Sequence, residues 1–231
     1  MTSLNILSGG AAQGLVTSLA ADLKAKTGFD IGGEFGAVGA MAGKLRKGTP
    51  ADIVILTEKI IADLATENLV VAGSIADVGL VETALAVRAG DPQVGVKDAA
   101  SLRAAFLAAD AIFVPDTKVS TAGIHVAKVL QQLGIAGTVE ARLKVFPNGA
   151  TAMRHLAASD AVRPIGCTQS TEIISTSGVM LSGSLPRGCE LATMYTAAVT
   201  TKAANARQAQ NLINLLTSAD QRALRERAGF L

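Results

Sequence analysis

Short apolar runs alternate with stretches of helical periodicity along most of the chain. Leu4–Leu7 is an apolar run that stops at Ser8-Gly9-Gly10 and predicts a buried strand. From Ala11 to Lys26 the apolar positions shift to a four-residue spacing, Leu15, Leu19 and Leu23, and the resulting helix is closed by Gly28. Phe29–Phe35 predicts a second strand, Ala37–Arg46 a helix, Asp52–Leu56 a third strand, and the stretch from Thr57 or Glu58 to Ala65 another helix. Three β-α units with short loops predict a mostly parallel sheet with helices on both faces.

The alternation resumes further on. Thr83–Arg88 reads as a strand, Ser101–Leu107 as a helix, Ala111–Val114 as a strand and Thr121–Leu133 as a helix with Val126, Val129, Leu130 and Leu133 inward. Glu140–Phe146 and Pro164–Cys167 read as strands, each followed by a helix, Ala150–Ala157 and a short one over Ser170–Ile174. Met194–Thr200 predicts one more strand, and Ala203–Thr217 and Ala219–Ala228 predict helices. No solenoid repeat and no low-complexity linker separates the halves. The expected architecture is therefore α/β, two Rossmann-like lobes with mixed, mostly parallel sheets. Residues 1–84 and 199–231 form one lobe, and residues 85–198 form a second inserted into it.

Composition narrows the function classes. Lys plus Arg is 21 and Asp plus Glu is 19 in 231 residues, a net charge of +2, and no basic cluster supports nucleic-acid binding. Apolar residues make up 49% and charged residues 17%, which excludes disorder. No apolar run is long enough to span a membrane. The first basic residue is Lys24, so the N-terminus lacks the charged segment of a secretory signal. The expected compartment is cytoplasmic, or periplasmic if a signal had been removed. Cys167 and Cys189 read as buried free thiols, and with two distant histidines no metal site and no cofactor are expected.

Candidate chemistry gathers at four glycine-bearing helix starts. They are Ser8-Gly9-Gly10, Gly36-Ala37-Val38-Gly39, Ser120-Thr121-Ala122-Gly123 and Asn148-Gly149-Ala150-Thr151. None is a P-loop or a dinucleotide fingerprint. Each offers free backbone N–H groups at the positive end of a helix, an arrangement that favours anions. In open α/β sheets ligands sit outside the carboxyl ends of the strands, where all four lie. Cys167 follows a buried-strand pattern, and the polar run Thr168-Gln169-Ser170-Thr171 comes directly after that strand; it is costly if buried without a partner, so it reads as a ligand contact. Gln13 and Thr121 read as helix caps, His125 as a rim residue, His155, Arg154 and Arg163 as solvated, and Glu172 as a first-turn helix acid whose sharper role would be a general base.

Several runs resemble the molybdate-binding protein family: PADIVI (Pro50–Ile55), GAVGAM (Gly36–Met41), PDTKVSTAG (Pro115–Gly123), IGCTQSTEI (Ile165–Ile173) and LLTSADQRALRERAGF (Leu215–Phe230). The resemblance spans essentially the whole chain. It implies the type II periplasmic solute-binding fold, two lobes joined by two crossings, and a ligand held between them by hinge closure. It also implies Ser8 as a hydroxyl donor, Ala122 and Gly123 as a helix start facing an oxyanion, and Asn148 and Gly149 beside the next amide donor. Two positions depart from the family pattern. Val38 stands where a Ser is usual, and Gln169 where a Tyr is common. With two hydroxyl donors replaced, the expected ligand is a carboxylate rather than molybdate or tungstate.

The ligand-binding set is therefore Ser8, Gly9, Gly10, Ala37, Val38, Thr121, Ala122, Gly123, Asn148, Gly149, Thr168 and Gln169. The leading reading is a small-anion binder of the solute-binding class, partnered by a transporter if exported. The rival is a cytosolic isomerase of a tricarboxylate in the same site, since the fold includes an isomerase of aconitate. A cytosolic ligand sensor is the third reading.

Overall fold

The structure, a computed structural model, describes residues 3–231. Met1 and Thr2, which begin the first expected lobe, lie outside the described residues. The chain divides into two compact units, Met1–Val81 with Thr193–Leu231, and Glu82–Ala192.

The first unit holds β1 (Ser3–Gly9), α1 (Gln13–Ser18), α2 (Ala20–Thr27), β2 (Asp30–Gly36), α3 (Val38–Arg46), β3 (Ile53–Thr57) and α4 (Glu58–Thr66). Strand β4 (Ala76–Arg88) begins there and continues into the second unit. The second unit adds α5 (Ala99–Ala108), β5 (Ala111–Pro115), α6 (Thr121–Gln132), α7 (Ala136–Val139), β6 (Leu143–Phe146), α8 (Gly149–Ala157), β7 (Pro164–Gln169), α9 (Ser170–Ile174) and β8 (Val179–Ser184). Strand β9 (Ala192–Val199) returns to the first unit, which ends in α10 (Ala206–Thr217) and α11 (Arg222–Arg227).

In the first unit β1 runs parallel to both β2 and β3, and β9 pairs antiparallel with β3. Strands Leu4, Ile6, Ile53 and Ile55 are completely buried against Leu15, Leu19 and Leu23, against Leu64 of α4, and against Leu212, Ile213 and Leu216 of α10. The single expected helix over Ala11–Lys26 is broken. A 3₁₀ turn at Gly10–Ala12 precedes α1, and Leu19 separates α1 from α2. The leucine stripe survives the break because its burial, not continuous helix hydrogen bonding, stabilises the segment. Asp52 of the PADIVI run is buried, and its carboxylate accepts from the backbone N–H of Asn5 at 2.9 Å and of Asn205 at 2.7 Å. That run therefore ties β1 to the start of α10.

In the second unit β5 lies between β6 and β7, parallel to both, while β4 pairs antiparallel with β7 and with β8. Period-two alternation sorts the side chains onto two faces. Ile112 and Val114 of β5, Ile165 and Cys167 of β7 and Leu85 of β4 pack with Phe106 of α5 and Val126, Val129 and Leu130 of α6. Ala111 and Phe113, with Ala84 and Ala86, pack on the opposite face with Met153 and Leu156 of α8 and Ile173 of α9. Burial pushes the Cys167 thiol up to about 12, so it is inert core; Cys189 is likewise a buried free thiol.

Candidate functional site

The polar run at the end of β7 is buried throughout. Thr168 is 0% exposed, Gln169 3%, Thr171 3% and Glu172 5%. Because the strand alternates, its polar residues divide between the two faces of the sheet.

On the α8 face, Thr168 Oγ1 donates to Glu172 Oε2 at 2.6 Å. The backbone N–H groups of Gly149, Ala150 and Gln169 also donate to that carboxyl. Burial pushes the Glu172 carboxyl above the usual glutamate range, and the Thr168 hydroxyl and the three amides pull the other way. Gly149 is required by this packing, since a Cβ there would lie 1.9 Å from Glu172 Oε2 and 2.1 Å from Thr168 Oγ1. Asn148 caps α8, its side-chain oxygen accepting from Thr151 N at 2.8 Å. The start of α8 thus packs against the chain's own Glu172 carboxyl. Asn148→Ala should cost about 1 kcal/mol through loss of the cap, read as a lower denaturation midpoint with an unchanged slope.

On the α6 face the donors and acceptors are uncommitted. Thr83 and Gln169 face each other across β4 and β7, in register with the buried pair Leu85 and Cys167. Neither end of the Gln169 amide has a hydrogen-bond partner, nor has Thr83 Oγ1 or Thr171 Oγ1. Of the five buried side-chain atoms left so among the described residues, these three residues supply four. Such atoms are rare in folded proteins, which marks this corner as special.

Helix α6 starts at the same level. Strands β5 and β7 are in register from Ala111↔Pro164 to Phe113↔Gly166, and α6 packs over the face of β7 that carries Cys167 and, two residues on, Gln169. Its cap position is Ser120, which makes no side-chain cap bond, so Thr121 is the first helical residue rather than the expected cap. The first amides of a helix have no intrahelical acceptor, here those of Thr121, Ala122 and Gly123. Gly123 lets the helix start close in, because a Cβ would lie 2.2 Å from Asp116 O and 2.5 Å from Pro115 O.

The first unit gathers its own set. Gly9 and Gly36 are partners at the ends of β1 and β2, and Ala37 occupies the cap position of α3. Ser8 is fully buried and its hydroxyl donates to Gly9 O at 2.9 Å. A Cβ on Gly9 would lie 2.8 Å from Val38 Cγ1 and from Tyr195 Cε1. Ser8, Gly9, Gly10, Ala37 and Val38 are thus neighbours, with Val38 built into the core. Gln13 is exposed and α1 has no side-chain cap, contrary to the expected capping role.

The remaining candidates lie elsewhere. His125 is half-buried with Nε2 2.8 Å from Cys189 O. His155 is exposed and stacks on Phe146, ring centroids 4.4 Å apart. Arg154 donates to Thr151 Oγ1. Arg163 is exposed and precedes β7, so it stands at the opposite end of that strand from Gln169. The donor set is therefore neutral: backbone amides, hydroxyls and one carboxamide.

Sequence reasoning missed Thr83. The signal for it is a hydroxyl at the head of the apolar run Ala84–Val87.

Comparison with known proteins gives a consistent picture. The sequence profile described as bacterial extracellular solute-binding protein matches residues 4–231. An aconitate isomerase from Pseudomonas sp. is 24% identical over 231 residues, 95% of this chain and 84% of that protein. The periplasmic molybdate-binding protein of Azotobacter vinelandii superposes with a TM-score of 0.82 at 18% identity, covering 99% of this chain and 98% of that one. The sulfate-binding protein SubI from Mycobacterium tuberculosis H37Rv superposes with a TM-score of 0.76 at 19% identity, covering 100% and 86%. These likenesses show the type II periplasmic-binding-protein fold. No helix among the described residues is long and apolar enough to cross a membrane.

Proposed function

The chain belongs to the bacterial extracellular solute-binding protein family, and we propose that it binds a small organic carboxylate. The observation that carries this reading is Gln169, 3% exposed with both ends of its amide unpartnered at the level where α6 begins. A side chain like this costs stability in the free protein and recovers it when a ligand supplies the missing hydrogen bonds. The amides of Thr121, Ala122 and Gly123 suit a carboxylate oxygen. Relatives named for molybdate and sulfate support an anion. Val38 and Gln169 in place of hydroxyl donors favour a carboxylate over molybdate. A transporter partner belongs to the same reading.

A thermal-shift panel of molybdate, tungstate, sulfate, phosphate, citrate and cis- and trans-aconitate tests it. A ligand at 100 times its dissociation constant should add ~2.7 kcal/mol. No shift with any member would defeat the anion reading.

The likeness to an aconitate isomerase favours a second reading, isomerisation of a tricarboxylate. Glu172 does not supply its base, because its carboxyl is buried and already engaged by Thr168 and three amides. A double-bond shift in bound aconitate, followed by proton NMR, would establish turnover; an unchanged spectrum would leave binding alone.

A further inference from the structure

We propose that Thr83 and Gln169, facing each other across β4 and β7, read a hydroxyl on the ligand's carbon skeleton, so that the preferred ligand is a hydroxycarboxylate. The proposal rests on the anion-binding reading and narrows it.

Hydrogen-bond valence decides which ligand class fits. A carboxamide has a donor end and an acceptor end, and both ends of Gln169 lack partners. Exchanging the two ends changes nothing, because neither is committed. A bare oxyanion, or an ionised carboxylate on an otherwise unfunctionalised chain, only accepts. It would satisfy the amide nitrogen and leave the amide oxygen unpaired in a buried place. A hydroxyl both donates and accepts, so it can serve the oxygen of Gln169 while taking a bond from a threonine hydroxyl. Thr83 is 1% exposed and Thr171 3%, and each can rotate its hydroxyl to donate or to accept. The register pair Thr83↔Gln169 puts the two side chains on one face, directly opposite each other. That is the face on which α6 begins, so a carboxylate taken by the α6 amides would present a neighbouring hydroxyl to this pair.

The position also separates ligand reading from structural support. Thr168, the intervening residue, faces the other way and is bonded to Glu172. Thr83 and Gln169 support nothing in the free protein through their side-chain polar atoms. An isosteric Thr83→Val change should therefore raise the melting temperature of the ligand-free protein while weakening the ligand.

The test is calorimetric titration of the wild-type chain with two matched pairs, citrate against tricarballylate and malate against succinate, with molybdate alongside. We expect the hydroxyl-bearing member of at least one pair to bind roughly 5- to 150-fold more tightly than its partner, the range that a buried unpaired group implies. Thr83→Val and Gln169→Leu should bring the two affinities within about threefold, and Thr83→Ser should restore the preference. Equal affinities within both pairs, or molybdate binding more tightly than any of them, would overturn the hydroxyl proposal and leave anion binding standing. No binding by any member would remove the anion reading and this proposal with it. Thr83→Val with lower melting temperature and undiminished discrimination would assign Thr83 a packing role and overturn its part.

Discussion

Replacing Glu172 with alanine should lower the stability of the protein by ~3–5 kcal/mol, a large share of what holds a domain folded. The loss comes from the groups left behind. Thr168 Oγ1 and the backbone N–H groups of Gly149, Ala150 and Gln169 all donate to this carboxyl, and all would be left in a buried pocket. Each buried donor without a partner costs about 1–3 kcal/mol, and water entering the space of the removed side chain recovers part of the total. Glu172→Gln keeps the volume but sets an NH₂ group against donors, so a loss of ~2 kcal/mol is expected. The pH dependence has a definite sign. Burial holds the folded-state pKa of Glu172 above the ordinary value of 4.5. A raised folded value means that the contribution is fully present below 4.5 and declines as pH rises through the raised value. The advantage of wild type over Glu172→Gln should therefore grow as the pH is lowered towards 4.5. Urea denaturation at a series of pH values reads both effects; a gap that widens towards alkaline pH would contradict the account.

Gly123→Ala should cost ~3 kcal/mol and abolish ligand binding. The new methyl group would meet two backbone carbonyls, Asp116 O at 2.2 Å and Pro115 O at 2.5 Å. No rotamer relieves contacts with backbone atoms, so either the start of α6 or the end of β5 must move. Overpacking at a closely packed site costs about 1–3 kcal/mol, and this case belongs at the upper end. The displaced atoms include the amides proposed to hold the ligand, so binding should fail even where the variant remains folded. Gly137→Ala is the control: nothing lies within 4 Å of its added methyl group, and it sits in α7. That change should be neutral or mildly stabilising. Equal behaviour of the two variants would show that Gly123 has no steric role.

The β-α alternation was legible because buried strands and amphipathic helices leave different apolar periods. Leu15, Leu19 and Leu23, and Val126, Val129 and Leu130, all read correctly as core. Two strand features escaped. Strand β8 (Val179–Ser184) is largely exposed and contains Gly183, so neither an apolar run nor a clean alternation marks it. The first half of β4 mixes exposed and buried positions and contains Gly79, so only the apolar stretch from Thr83 onward stood out. The run Glu140–Phe146 begins as a 3₁₀ turn at Glu140–Arg142 and becomes a strand only from Leu143.

For the site, sequence could flag the polar run after β7 as costly but could not divide it. Which of Thr168 and Gln169 is partnered depends on strand phase and on where the helices pack. The structure gives Thr168 to Glu172 and leaves Gln169 without a side-chain partner. Glu172 looked like an ordinary first-turn acid because its partners at Gly149 and Ala150 are more than twenty residues away in sequence.

The most direct test of the central claim is calorimetric titration of one preparation with trans-aconitate and with molybdate at identical pH and salt. The carboxylate should bind more tightly, because Val38 offers no side-chain donor and Gln169 offers a carboxamide, which suits a carboxylate-bearing carbon skeleton better than a bare tetrahedral oxyanion. Tight molybdate binding with no heat from the carboxylate would contradict it.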